Sequence, residues 1–124
     1  MSVNVSKLKA TRPRWEKKDL EILTSRMNKE LPHDKALVIG IEELSELTQA
    51  VTKFMRFTSG AKAINGPRYV MNRTNVLEEM ADVAIAIAIF KNRLGVSDRE
   101  FNQMLAYKID AKFTKLNNGE LIND

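Results

Sequence analysis

The chain has 124 residues, no cysteine and an apolar fraction of 44%, which suits one folded domain and excludes disulfides, thiolate nucleophiles and cysteine-bound zinc. Its net charge of +4 is a small difference between 20 basic and 16 acidic residues, so the placement of charge says more than its sum. The first residues lack the apolar stretch of a secretory leader, and the longest apolar run, Val83 to Phe90, is far short of the roughly 18 residues of a membrane span; a cytoplasmic location without a membrane partner is expected.

The first predicted helix runs over 14–30, with Trp15, Leu20, Leu23 and Met27 on one side. Trp15 reads as packing of this helix rather than as a base-stacking ring. Leu31-Pro32 ends the helix, because a residue before proline is pushed out of the α region. His33, at this boundary, reads as a capping or surface residue rather than a ligand. Asp34 is the expected N-cap of a second helix reaching about Phe57. Its Leu37, Ile41, Leu44, Thr48, Val51 and Met55 recur three and four apart and predict the buried seam, with Glu43 and Glu46 beside it and partly buried.

Residues 58–71, with Gly60, Gly66 and Pro67, read as a long connecting loop and a mobile binding segment. A third helix is predicted to start between Asn72 and Asn75 and to end before Gly95. Val83 to Phe90 alternates like a strand, yet its alanines and flanking charges favour helix. Being apolar nearly all round, it predicts a subunit interface. Ser97 with Glu100 forms a capping box for a fourth helix, lined inward by Phe101, Met104, Leu105, Ile109, Phe113 and Leu116. Asn117-Asn118-Gly119 stops it, and 1–12 and 118–124 read as loose termini. Met27, Met55, Met71, Met80 and Met104 read as core filler. The expected fold is all-α: one four-helix-bundle-like protomer, obligately assembled as a homodimer or homotetramer.

Two acidic clusters stand out, Glu42-Glu43-Leu44-Ser45-Glu46 and Glu78-Glu79-Met80-Ala81-Asp82. Glu43 with Glu46, and Glu79 with Asp82, are i,i+3 pairs that share a helical face. The residues one turn later are Leu47, Ala50, Val83 and Ala86 rather than lysine or arginine. If the two helices pack with these pairs facing, each like-charge contact at about 4 Å costs roughly 4 kcal/mol at an effective dielectric near 20. A cation relieves that cost, and oxygen-only ligands select a hard divalent ion, Mg²⁺, with Mn²⁺ as a substitute. Basic residues gather in Lys7 to Lys18, Lys53 to Arg73 and Lys108 to Lys115, a positive surround suited to a polyphosphate.

The order E-E-x-x-E, Glu42 to Glu46, followed by E-x-x-D, Glu79 to Asp82, resembles the all-α nucleoside triphosphate pyrophosphohydrolases of the MazG-like superfamily. The resemblance covers about Leu37 to Lys115. It implies a Mg²⁺-dependent enzyme that converts a nucleoside triphosphate to the monophosphate and pyrophosphate by water attack at the α-phosphorus. Glu43, Glu46, Glu79 and Asp82 would be the metal ligands. Glu42 and Glu46 are the candidates for orienting or deprotonating the water. Lys108 sits where the family carries a phosphate-binding lysine, and Lys53, Arg56, Arg68, Arg73 and Lys112 are further phosphate candidates. Lys112 stands where members often carry an asparagine, and the loop between the motifs is longer than the family's usual one.

Other chemistries fit less well. A di-iron bundle needs Glu-x-x-His on each of two helices, and this chain has one histidine. Nucleic acid as partner is disfavoured, because acids beside the seam repel phosphate and no helix-turn-helix signal is present. The alternatives retained are a non-catalytic helical interaction or oligomerisation module, and a nucleotide-binding protein with reduced activity.

Overall fold

The computed structural model describes residues 14–58 and 66–122, and all the regular structure among them is helical. The chain divides after Arg93 into two compact units. α1 (Lys17–Glu30), α2 (Lys35–Thr58) and α3 (Pro67–Leu94), except its last residue, belong to the first; α4 (Asp98–Asn117) belongs to the second. No helix among the described residues is long and apolar enough to cross a membrane.

α1 opens with Asp19 Oδ2 accepting from the Glu16 backbone N–H at 2.8 Å and closes with the Leu31 N–H on the Met27 carbonyl, so it starts three residues later than predicted. Its inward anchor is polar. Thr24 is buried and donates to the Leu20 carbonyl at 2.9 Å, while Asn28 Nδ2 donates to the Ile89 carbonyl at 3.1 Å and to Asn92 Oδ1 at 2.8 Å on α3. Trp15 and Leu23, expected to pack, are exposed.

Between α1 and α2 the backbone reverses through two left-handed residues, His33 (φ 52°) and Asp34 (φ 59°), residue types that tolerate this region better than most. Asp34 therefore lacks the extended backbone of an N-cap, and its carboxylate pairs with Arg93 at 2.9 Å. α3 begins at Pro67, which makes 67–71 helical rather than loop. Proline fits the first helical turn, where its missing N–H has no partner to lose. Residues 59–65 of the predicted loop, residues 1–12, 123 and 124 of the predicted loose termini, and Pro13 lie outside the described residues.

The seam of α2 is displaced by one residue from the predicted one. Ala36, Gly40, Glu43, Leu47, Ala50 and Phe54 are buried or half-buried, whereas Ile41, Leu44, Val51 and Met55 are exposed. On α3 the matching set is Asn72, Asn75, Glu79, Asp82, Ala86 and Ile89, spaced three and four apart as two facing helices require. Val83 to Phe90 is helical throughout, with Ala86 and Ile89 fully buried and Ile87 exposed.

α3 stops at Gly95 (φ 67°) as expected. The predicted capping box of α4 forms: the Glu100 N–H donates to Ser97 Oγ at 3.1 Å, and Ser97 N–H approaches Glu100 Oε1 at 3.4 Å. Gly119 (φ 71°) follows its end. α4 itself buries no residue; Met104, Leu105, Ile109, Phe113 and Leu116, expected to face inward, are exposed.

Candidate metal centre

Packing of α2 on α3 is set at Gly40. A Cβ built there would lie 2.7 Å from the Phe90 ring and 3.5 Å from the Ala86 methyl, so the absent side chain is what lets the two helices approach. Glycine inside a helix is about 1 kcal/mol less favourable than alanine, and close contact is the compensating gain. At the opposite end of the seam the Phe54 and Tyr69 rings meet with centroids 5.6 Å apart. Gly40 against Phe90 and Phe54 against Tyr69 make the pair antiparallel, with the acidic segments of both helices between these two contacts.

There Glu43, Glu46, Glu79 and Asp82 converge. Each offers a carboxylate oxygen, and these oxygens all lie within 4.8 Å of one another. Glu43, Glu79 and Asp82 are half-buried and Glu46 is exposed. Glu43 Oε2 and Glu79 Oε2 are shut off from solvent with no hydrogen-bond partner. The ion pairs of Lys17, Lys18, Arg26 and Arg93 go to Glu21, Glu16, Glu30 and Asp34 and to none of these four.

Burial and mutual repulsion raise the proton affinity of two of these acids. Burial, followed by the charges of Asp82 and Glu46, pushes the Glu43 carboxyl up from its ordinary 4.5 to about 7. Glu79 is raised by burial first, then by Glu46 and Asp82. Glu43 lies close enough to Asp82, and Glu79 to Glu46, for each pair to share a hydrogen bond when one member is protonated. A divalent cation would take over that role near neutral pH: four carboxylates from two rods match a hard, oxygen-seeking ion and fit neither zinc thiolate nor haem chemistry. Clusters of acids also occur without an ion, so the weight lies on the two buried, unpartnered oxygens, a state that costs about 1–3 kcal/mol per group when unrelieved.

Beside the acids is a cavity of about 250 Å³, lined by Glu46, Gln49, Lys53, Asn72, Asn75 and Glu79 among others. Of the cationic candidates, Lys53 alone lines it. Arg56 on α2 and Arg68 and Arg73 on α3 are exposed and are not part of its wall. Lys108 and Lys112 are exposed on α4, in the second unit. Glu42 is exposed on α2 and stands outside the converging four.

Two residues of the site escaped the sequence reading. Gly40 had a signal, a glycine inside an apolar helix three residues before Glu43. Asn72 had a weaker one: it precedes Glu79 by seven residues, two helical turns, and so shares the face of the acids. Compared with protein-family models, curated proteins and solved structures, the chain matches none.

Proposed function

We propose that this chain is a Mg²⁺-dependent nucleoside triphosphate pyrophosphohydrolase, related to the MazG-like proteins that its motifs resemble. The observation that carries the proposal is the convergence of Glu43, Glu46, Glu79 and Asp82 from two helices, with two carboxylate oxygens buried and unpartnered. In this reading the four acids hold the ion, Mn²⁺ serving as a substitute. The ion supplies charge neutralisation of the polyphosphate and a lowered pKa for a bound water.

The chain's own residues do the positioning. Lys53, on the wall of the adjoining cavity, offers the bound nucleotide a mobile point charge. Glu46, the exposed member of the four, is best placed to reach the attacking water, and Glu42 on the neighbouring surface is the second candidate for that proton. The roles of Arg56, Arg68, Arg73, Lys108 and Lys112 rest on charge and on the resemblance. In-line attack at the α-phosphorus needs alignment and charge stabilisation rather than a covalent intermediate, which accords with a site lacking cysteine.

A second copy of the chain is part of the proposal. The apolar stripe Ile41, Leu44, Val51 and Met55 is exposed along α2, and an uncovered stripe of this length is the usual mark of an interface. A homodimer or homotetramer covers it. A purely structural module would have the same stripe, and the acids separate the two readings. With a panel of triphosphates, with and without Mg²⁺, the enzyme releases pyrophosphate and not orthophosphate. E46Q abolishes that release while the protein stays folded. Orthophosphate as the only product, or an E46Q variant as active as the wild type, removes the proposal.

A further inference from the structure

Asn72 is the most deeply buried polar side chain of α3, with 2% of its surface exposed, and neither its Nδ2 nor its Oδ1 has a hydrogen-bond partner. A buried amide left in this state is destabilising on both its donor and its acceptor side, and an apolar residue of the same shape would remove the penalty. Asn72 also lines the cavity beside the acids, together with two other carboxamides, Gln49 and Asn75, and with Lys53.

From these observations we infer that Asn72 reads the heterocyclic base of the bound nucleotide. This rests on the nucleotide reading of the metal centre and extends it to the part of the substrate away from the ion. Phosphate oxygens only accept hydrogen bonds, so they can satisfy Nδ2 but leave Oδ1 unpaired. A base edge with an N–H beside a C=O, or a ring nitrogen beside an amino group, satisfies both at once, as carboxamides do when they bind bases bidentately. The volume agrees: about 250 Å³ is below the roughly 300–1,000 Å³ of a site for a whole ligand, and it suits one ring rather than a complete nucleotide. Asn72 lies two helical turns from Glu79 on one face of α3, about 10 Å along the axis at 1.5 Å per residue. That separation spans a sugar between metal-held phosphate and base. Both amide atoms are shielded from solvent, so contact with a base requires a rotation of the side chain towards the cavity that the residue lines.

The test compares a base-bearing and a base-free probe on the full chain by calorimetry: nucleoside 5′-monophosphates, and inorganic tripolyphosphate with Mg²⁺. N72L is expected to weaken the best-bound monophosphate by roughly ten- to a hundredfold and to leave tripolyphosphate affinity within about twofold of wild type. It is also expected to raise the melting temperature, since the unpaired amide is gone. N72D, which keeps the shape but loses the Nδ2 donor, is the second variant and is expected to lose monophosphate affinity in the same way. Unchanged monophosphate affinity in either variant, an equal loss for both probes, or a wild type that binds no nucleoside monophosphate overturns the inference. A wild type that binds nucleotides in this Asn72-dependent way but releases no pyrophosphate supports the inference and removes the hydrolase reading alone.

Discussion

Replacing Glu43 by glutamine should make the metal-free protein more stable and less responsive to Mg²⁺. The carboxylate oxygens of Glu43, Glu46, Glu79 and Asp82 lie within 4.8 Å of one another, and one pair of full charges at that distance repels by about 3.5 kcal/mol at an effective dielectric near 20. Solvent screening and proton sharing lower the realised cost to about 1–2 kcal/mol, equivalent to a melting shift of about 4–8 °C for a domain of this size. The sign follows from linkage. The Glu43 carboxyl has a pKa of about 7 in the fold against an ordinary 4.5, so between these values the folded state binds more protons than the unfolded one. Metal-free stability therefore falls as pH rises from about 4.5 to about 7 and levels off above that. In E43Q this fall is shallower, leaving mainly the contribution of the raised Glu79. Melting curves recorded by circular dichroism at pH 5, 6, 7 and 8, with EDTA and then with Mg²⁺, read both effects. Parallel pH profiles for wild type and E43Q in EDTA, or an equal Mg²⁺ stabilisation of the two, would refute the electrostatic reasoning.

Gly40→Val should weaken Mg²⁺ binding, measured by calorimetry, because its branched side chain wedges α2 from the Phe90 ring, already 2.7 Å from the place of a Cβ. Gly40→Ala should act in the same direction to a smaller degree, because its Cβ alone meets the Phe90 ring at 2.7 Å. Ile41→Asp places a charge in the exposed stripe of α2 and should convert the proposed assembly to monomers in light scattering; an unchanged mass would remove this stripe as the interface. Asn28→Ala removes the donor to the Ile89 carbonyl and Asn92 and should cost about 1–2 kcal/mol in urea unfolding, with no change in Mg²⁺ affinity.

Much of the architecture was legible because it rests on local chemistry. The Ser97–Glu100 box, the Gly95 stop and the helical state of Val83 to Phe90 depend on residues within one or two turns. Pro67 misled because proline marks a loop and the first turn of a helix equally well. Asp34 misled because its carboxylate has a distant partner, Arg93, which no local pattern reports.

The phase of α2 is the most instructive difference. Apolar spacing favours Ile41, Leu44, Val51 and Met55, yet the face turned to α3 carries Gly40, Glu43, Leu47 and Ala50. Hydrophobicity alone assigns the stripe that is to be covered and does not say by what. Small residues decide where two helices come closest, and Gly40 against Phe90 and Ala86 draws the acids into the seam instead of leaving them at its edge. The one-residue displacement therefore joins two properties: it buries Glu43 Oε2 and Glu79 Oε2 without partners, and it turns the larger apolar face outward. In the proposed function a cation answers the first and a second copy of the chain the second. Both follow from a single choice of helix face, so a substitution at Gly40 that separates α2 from α3 should lower metal affinity and loosen the proposed assembly together.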